Sequence, residues 1–151
     1  MAIKFVWDTS VFMGVLNRQT DLPVEEIQQI SNEIAEKKVI LLVPAIIHAE
    51  ILLAQYTPEV IEKLYAFLDR ENVEKVDLDE DICKLAAKIR SLMIPHRRKR
   101  DYGIWDALVL ATAIIHQAVV VHSLDKDDMV KYSESELVLG QKITRPAALT
   151  K

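Results

Sequence analysis

Short apolar runs alternate with apolar stripes at helical spacing along this chain. Ile3–Trp7 is an apolar run that ends at Asp8, and its length predicts a strand. A short helix is expected over residues 9–17. Pro23 suits the first position of a second helix, in which Val24, Ile27, Ile30 and Ile34 form a stripe. Residues 39–43 are continuously apolar between Lys37-Lys38 and Pro44, which predicts a buried strand. Residues 45–55 and 58–69 read as helices, and Val73–Val76 as a weaker, more polar strand. Residues 79–93 form a helix with Ile82, Leu85, Ala86 and Ile89 on one side, broken before Pro95. Residues 102–116 are apolar nearly all round, the signature of a helix covered on most faces. Another apolar strand is expected at 118–121, and a last one near 142–144, before Pro146.

Strands that alternate with helices, several of them uniformly apolar, predict an α/β protein. The expected arrangement is a three-layer α/β/α sandwich around a central, mainly parallel sheet. The chain of 151 residues fits a single domain over 1–151. In such sheets ligands bind beyond the carboxyl ends of the strands. Asp8 follows the first strand directly, and Asp125 follows the late one.

Four acidic residues draw attention for different reasons. Glu50 has Ile46, Ile47, Leu53 and Ala54 at its helical neighbour positions, so it projects from an apolar face. A carboxylate buried alone is costly and needs a partner or a metal. Its bland reading is an ion pair with a distant cation. Asp106 sits within Ile104-Trp105-Asp106-Ala107-Leu108 with no basic residue at helical spacing; Asp101 is the better cap, leaving Asp106 about a turn inside. The helix dipole alone accounts for Asp106 in a purely structural role, although an apolar residue would serve stability better. Asp8 reads equally well as a helix cap, and Asp125 as an ordinary turn residue, with Asp127 and Asp128 as rivals.

Composition narrows the function. A net charge of -4 excludes a basic nucleic-acid coat, so a polyanion has to be held by a local patch or by metal. The single cysteine, Cys83, excludes an internal disulfide and a cysteine-rich zinc site, and reads as a small buried hydrophobe. No apolar run approaches the roughly 18 residues of a membrane span, and the N-terminus lacks a signal-peptide pattern. A soluble cytoplasmic protein is expected. The three glycines, Gly14, Gly103 and Gly140, are too far apart for a phosphate-binding glycine loop. His48 stands two residues before Glu50, but the zinc-deaminase pattern also needs a paired-cysteine element that is lacking. His116 and His122 read as structural.

These motifs, taken in order, resemble the PIN-domain ribonucleases, and among them the VapC-type toxins of toxin–antitoxin pairs. Val6-Trp7-Asp8-Thr9-Ser10-Val11 is similar to the family's opening strand, first acid and hydroxyl residue. His48-Ala49-Glu50-Ile51 resembles its second motif, and the run from Trp105 to Ala113 resembles its third and most specific one. Val121-His122-Ser123-Leu124-Asp125 is similar to the last, with Ser123 where the family usually has threonine. The resemblance covers nearly the whole chain and fades after Asp128. It implies Mg²⁺ or Mn²⁺ held by Asp8, Glu50, Asp106 and Asp125, with Thr9, Ser10 and Ser123 orienting carboxylates or waters. The implied reaction is hydrolysis of RNA phosphodiesters. An antitoxin protein and a homodimer are the implied partners; apolar helix faces near Ile51, Leu52 and Leu64 are candidate contacts, although ordinary core packing is their expected use. Two alternatives stay open: an RNA-processing or DNA-directed nuclease outside any toxin system, and a binding module without catalysis.

Arg97, Arg98, Lys99 and Arg100 put four fixed positive charges just ahead of the helix that carries Asp106. A solvated loop is the ordinary fate of such a run. Its position favours a rim that grips RNA phosphates. Tyr102 and Trp105 are candidates for stacking on bases, with burial in the core the expected fate of Trp105.

Overall fold

Five parallel strands make the central sheet of the computed structural model, which describes residues 2–96 and 103–149. They are β1 (Ile3–Trp7), β2 (Val39–Pro44), β3 (Val73–Val76), β4 (Val120–His122) and β5 (Ile143–Thr144), in the order β3-β2-β1-β4-β5. Six α-helices lie among the described residues: α1 (Thr9–Leu16), α2 (Val24–Ala35), α3 (Ala45–Leu53), α4 (Pro58–Leu68), α5 (Glu80–Met93) and α6 (Ile104–Ile115). Every strand pair is parallel, with Ile3 opposite Val39 and Trp7 opposite His122. The predicted α/β sandwich is therefore the observed fold.

The chain steps outward from β1 to β3, then returns past β1 to β4 and β5. Because parallel crossovers are right-handed, this reversal puts α2 and α4 on one face and α5 and α6 on the other. The contacts agree: the Arg70 guanidinium after α4 donates to the Ser31 hydroxyl of α2 at 3.0 Å. On the opposite face, α5 packs on α6 and on a short turn at Glu136–Val138. β2 reads as continuously apolar because both its faces are covered, whereas the edge strand β3 exposes Glu74 and Lys75. Phe5 and Trp7 share one face, where Trp7 stacks on Phe67 of α4 with centroids 5.9 Å apart and meets the edge of Phe12. Val6 points to the other face and is fully buried.

Local signals account for most helix starts. Thr57 caps α4 through the Val60 N–H, with Pro58 at its first turn, and Asp79 caps α5 through the Ile82 N–H at 2.9 Å. Pro23 stands one position before α2 rather than inside it. Cys83 is exposed, contrary to its expected burial, because it lies on the solvent side of α5, opposite the buried Ile82, Ala86 and Ile89 stripe. Beyond β5 the chain returns to α2. Arg145 donates to the Asp21 carbonyl at 3.0 Å, the Ala148 N–H to Glu26 at 2.7 Å, and the Leu149 N–H to Glu33 at 3.0 Å. Glu33 is fully buried, so this clasp satisfies a carboxylate that burial alone would destabilise.

Candidate active site

The reversal of strand order falls between β1 and β4, where an open α/β sheet leaves a crevice at its carboxyl edge. Asp8 occupies it. Its N–H closes the ladder to the His122 carbonyl at 3.0 Å, and its carboxylate then accepts from the Val11 N–H at 3.3 Å as the cap of α1. Capping is thus real, but it does not require the side chain to be only 4% exposed. Burial pushes the Asp8 carboxyl from its ordinary 3.8 up to about 6, against the opposing pull of its hydrogen bonds with Ser10, Ser123 and Val11.

Two hydroxyls connect Asp8 to the loop after β4. Ser10 Oγ donates to the Asp8 carboxylate and accepts from the Leu124 N–H at 2.8 Å. Ser123, itself fully buried, lies 3.3 Å from Ser10, hydrogen-bonds to Asp8 and accepts from the Asp125 N–H at 3.0 Å. Each hydroxyl therefore accepts a hydrogen bond from a loop amide and donates its own toward Asp8, so the bonds polarise one another. Asp125 is held in turn: its carboxylate accepts from the Asp128 N–H at 2.9 Å, and its carbonyl from Val130 at 3.0 Å. Of the three acids in this loop, it is the Asp125 charge that pushes the Asp8 carboxyl upward.

Glu50 approaches from α3. The Thr9 hydroxyl, next in sequence to Asp8, donates to its carboxylate at 2.7 Å, so among the described residues its partner is an uncharged hydroxyl. Burial raises the Glu50 carboxyl, less completely than for Asp8, because Leu53 in the following turn is 71% exposed. Asp106 stands half-buried in the first turn of α6, whose cap among the described residues is Gly103. The expected cap, Asp101, lies outside the described residues, and Asp106 is nearer the helix start than its sequence context suggests. At this position the helix dipole favours a carboxylate. The far end of α6 is anchored low on the sheet, where the His116 carbonyl accepts from Lys4 at the start of β1. Twelve residues of helix then carry Asp106 toward the carboxyl edge, on a helix packed against β1, β4 and α3.

The donor chemistry fits a hard divalent cation: carboxylate oxygens at an open crevice, two of them destabilised by burial and, among the described residues, without a countercharge of their own. Among the described residues no three His, Cys, Asp or Glu side chains are gathered closely enough to enclose an ion. Hydrogen bonds through Ser10 and Ser123 tie Asp8 to the loop of Asp125, and Thr9, next to Asp8, holds Glu50, which leaves a loosely spaced carboxylate set. This suits Mg²⁺ or Mn²⁺, which keeps several waters and takes one or two carboxylates together with substrate phosphate.

Arg97, Arg98, Lys99, Arg100 and Tyr102 lie outside the described residues. Trp105, expected in the core, is instead 36% exposed beside Asp106, because the first turn of α6 projects past the sheet before burial begins at Ala107. His48 pairs with the Tyr65 hydroxyl at 3.0 Å, and His116 caps the end of α6, both structural roles. His122 has the structural role expected of it, whereas neither Glu33 nor Gly14 was expected to have one. His122 belongs to β4 and accepts from the Trp7 indole at 3.2 Å; burial pushes it down to about 4, so it stays neutral beneath the crevice. Glu33 needed knowledge of the tail. Gly14 did carry a signal: a glycine inside a helix costs about 1 kcal/mol relative to alanine and calls for a packing reason.

Comparison with known proteins follows the same lines. Residues 5–134 match the PIN domain family model. No curated protein matches the chain by sequence. VapBC-1 from nontypeable Haemophilus influenzae is similar in structure, with a TM-score of 0.68 at 15% identity over 95% of this chain and 98% of that one. VapBC2 from Rickettsia felis, solved with a DNA fragment from its promoter, gives 0.66 at 15% identity over 93% and 97%. Mycobacterium tuberculosis VapC20, a toxin that cleaves the sarcin-ricin loop, gives 0.58 at 14% identity over 82% and 92%. With its five-stranded parallel sheet, its crevice at the β1/β4 reversal and a family match over most of its length, this chain belongs to the PIN domain family.

Proposed function

We propose that this protein is a Mg²⁺- or Mn²⁺-dependent endoribonuclease and the toxin of a toxin–antitoxin pair. The observation that carries the reading is the buried Asp8 carboxylate, held by Ser10 and Ser123 to the loop that bears Asp125. Asp8 and Asp106 hold the principal cation in this reading, and Glu50 and Asp125 complete the site. When bound, the cation supplies positive charge that activates water and stabilises the phosphate during displacement. The chain's own part is orientation: Thr9 holds Glu50, Ser10 and Ser123 hold Asp8, and the covered sheet below keeps the carboxylates from collapsing into bulk water.

The partner reading draws on the neighbours, several of which are VapBC toxin–antitoxin assemblies. A cleft of about 390 Å³ between α1, α2 and α4 has Phe12, Leu64 and Phe67 in its lining and the cations Arg18 and Lys63 beside them. That chemistry suits an amphipathic, acidic antitoxin segment. Of the other apolar contacts, Ile51 is buried while Leu52 and Leu53 are exposed at the end of α3, the surface this reading assigns to a homodimer. No helix among the described residues is long and apolar enough to cross a membrane, and a cytoplasmic setting belongs to the same reading.

The direct test is cleavage of a panel of structured and single-stranded RNAs by purified protein with Mg²⁺, with Mn²⁺ and with chelator. Cleavage that needs the cation and vanishes in Asp8→Asn and Asp106→Asn is expected. Cation-independent cleavage, or full activity in both variants, overturns the reading.

A further inference from the structure

Gly14 lies mid-helix in α1, where glycine is otherwise a costly choice. A methyl group built there would stand 2.6 Å from a terminal Cδ of Leu124, 3.1 Å from one of Leu22 and 3.2 Å from the Gln19 side-chain oxygen. Leu124 is therefore seated directly on the helix backbone. It is also the residue whose N–H donates to Ser10 Oγ, and it stands between Ser123 and Asp125. Ser10 and Gly14 are four residues apart, so they stack on one face of α1. The loop after β4 is thus fastened to that face at two points, by a hydrogen bond at the first turn and by a side chain in a notch at the second.

We propose that Gly14 and Leu124 are a positioning pair: the notch and the side chain seated in it set where Asp125 lies relative to Asp8, and thereby the affinity of the site for a divalent cation. The proposal rests on the metal-dependent reading above. An alanine at position 14 displaces the flexible end of Leu124 rather than the helix, so the fold persists while the loop loses one of its two fastenings. Trimming Leu124 to alanine removes the same fastening from the other side. The two changes act on one contact, so their effects do not add.

The experiment compares wild type, Gly14→Ala, Leu124→Ala and the double variant by two measurements. Amide hydrogen exchange at Leu124 and Asp125 in metal-free protein reports the fastening; Mn²⁺ titration calorimetry at neutral pH reports the site. Faster exchange and Mn²⁺ binding weakened about tenfold are expected in each single variant, with the double variant no weaker than either and melting temperatures close to wild type. Unchanged exchange in both single variants overturns the proposal, as do single-variant losses of affinity that add. Wild-type binding of Mn²⁺ with unchanged affinity in Gly14→Ala overturns it alone. A wild-type protein that binds no Mn²⁺ overturns the metal-dependent reading and this proposal with it.

Discussion

Asp8 and Asp106, the two acids proposed to hold the principal cation, sit in opposite local environments. Asp8 is buried at a strand end, held by two hydroxyls whose own acceptor positions are filled by loop amides. Asp106 rides half-exposed on the first turn of a helix, where the dipole favours its charge. Burial works against the Asp8 charge, whereas a position in the first turn of a helix favours the charge of Asp106.

Neutralising each acid should expose that contrast most strongly. Asp8→Asn and Asp106→Asn are both expected to lower Mn²⁺-dependent cleavage about a thousandfold, the loss of roughly 4 kcal/mol of stabilisation. Their stabilities should diverge. In metal-free protein Asp8→Asn is expected to be at least as stable as wild type at neutral pH, whereas Asp106→Asn gains nothing, as chemical denaturation will report.

The dependence on pH sharpens this. The folded protein holds the Asp8 proton more tightly than the unfolded chain, so the contribution of this group is complete below about pH 3.8 and lost as pH rises through about 6. The stability difference, Asp8→Asn minus wild type, should grow by about 2.4 kcal/mol between pH 4 and pH 7. A flat difference would contradict the burial of Asp8. His122 works in the other direction: its contribution is complete above pH 6.5 and lost as pH falls through about 4. The two offset each other in wild type, which is why the difference is the quantity to measure.

Removing the supports should give graded losses. Ser10→Ala takes away both a donor to Asp8 and an acceptor for the loop, and should weaken Mn²⁺ binding by about 10- to 100-fold. Thr9→Val releases only the half-exposed Glu50, and a loss well below that of Ser10→Ala is expected in the same titration. Equal losses would erase the distinction between the buried and the exposed sides of the site. Smallest of all, Trp7→Phe removes the bond to His122 beneath the crevice. It should cost about 1 kcal/mol of stability with cleavage retained.

The same contrast explains what could be read from the sequence. Glu50 and Asp106 stood out because helical spacing shows which neighbours are apolar. It does not show whether those neighbours are covered, and Leu53 and Trp105 prove to be at the rim. Asp8 and Asp125 looked ordinary, as a cap and a turn residue, and both do serve those roles. Their importance depends on the pairing of β1 with β4, which places Ser10 against Ser123 across a separation of 113 residues. No local pattern records that. The layers were legible for a related reason: continuous apolar strands and amphipathic helices each report their own burial, and a right-handed parallel sheet leaves few ways to assemble them. The tail clasp on Glu33 was not legible, since a lone glutamate in an amphipathic helix says nothing of what will cover it.

Strand order has a consequence for assembly in time. β1 lies at the middle of the sheet, and β2 pairs with one of its edges after a short stretch of chain. Its other edge stays bare until residues 120–122 are made. A chain that folds as it is synthesised thus forms the β1–β2–β3 half first. Asp8 then waits without Ser123, Leu124 or Asp125 beside it. The Asp8 site is therefore assembled only after the first half of the sheet is in place.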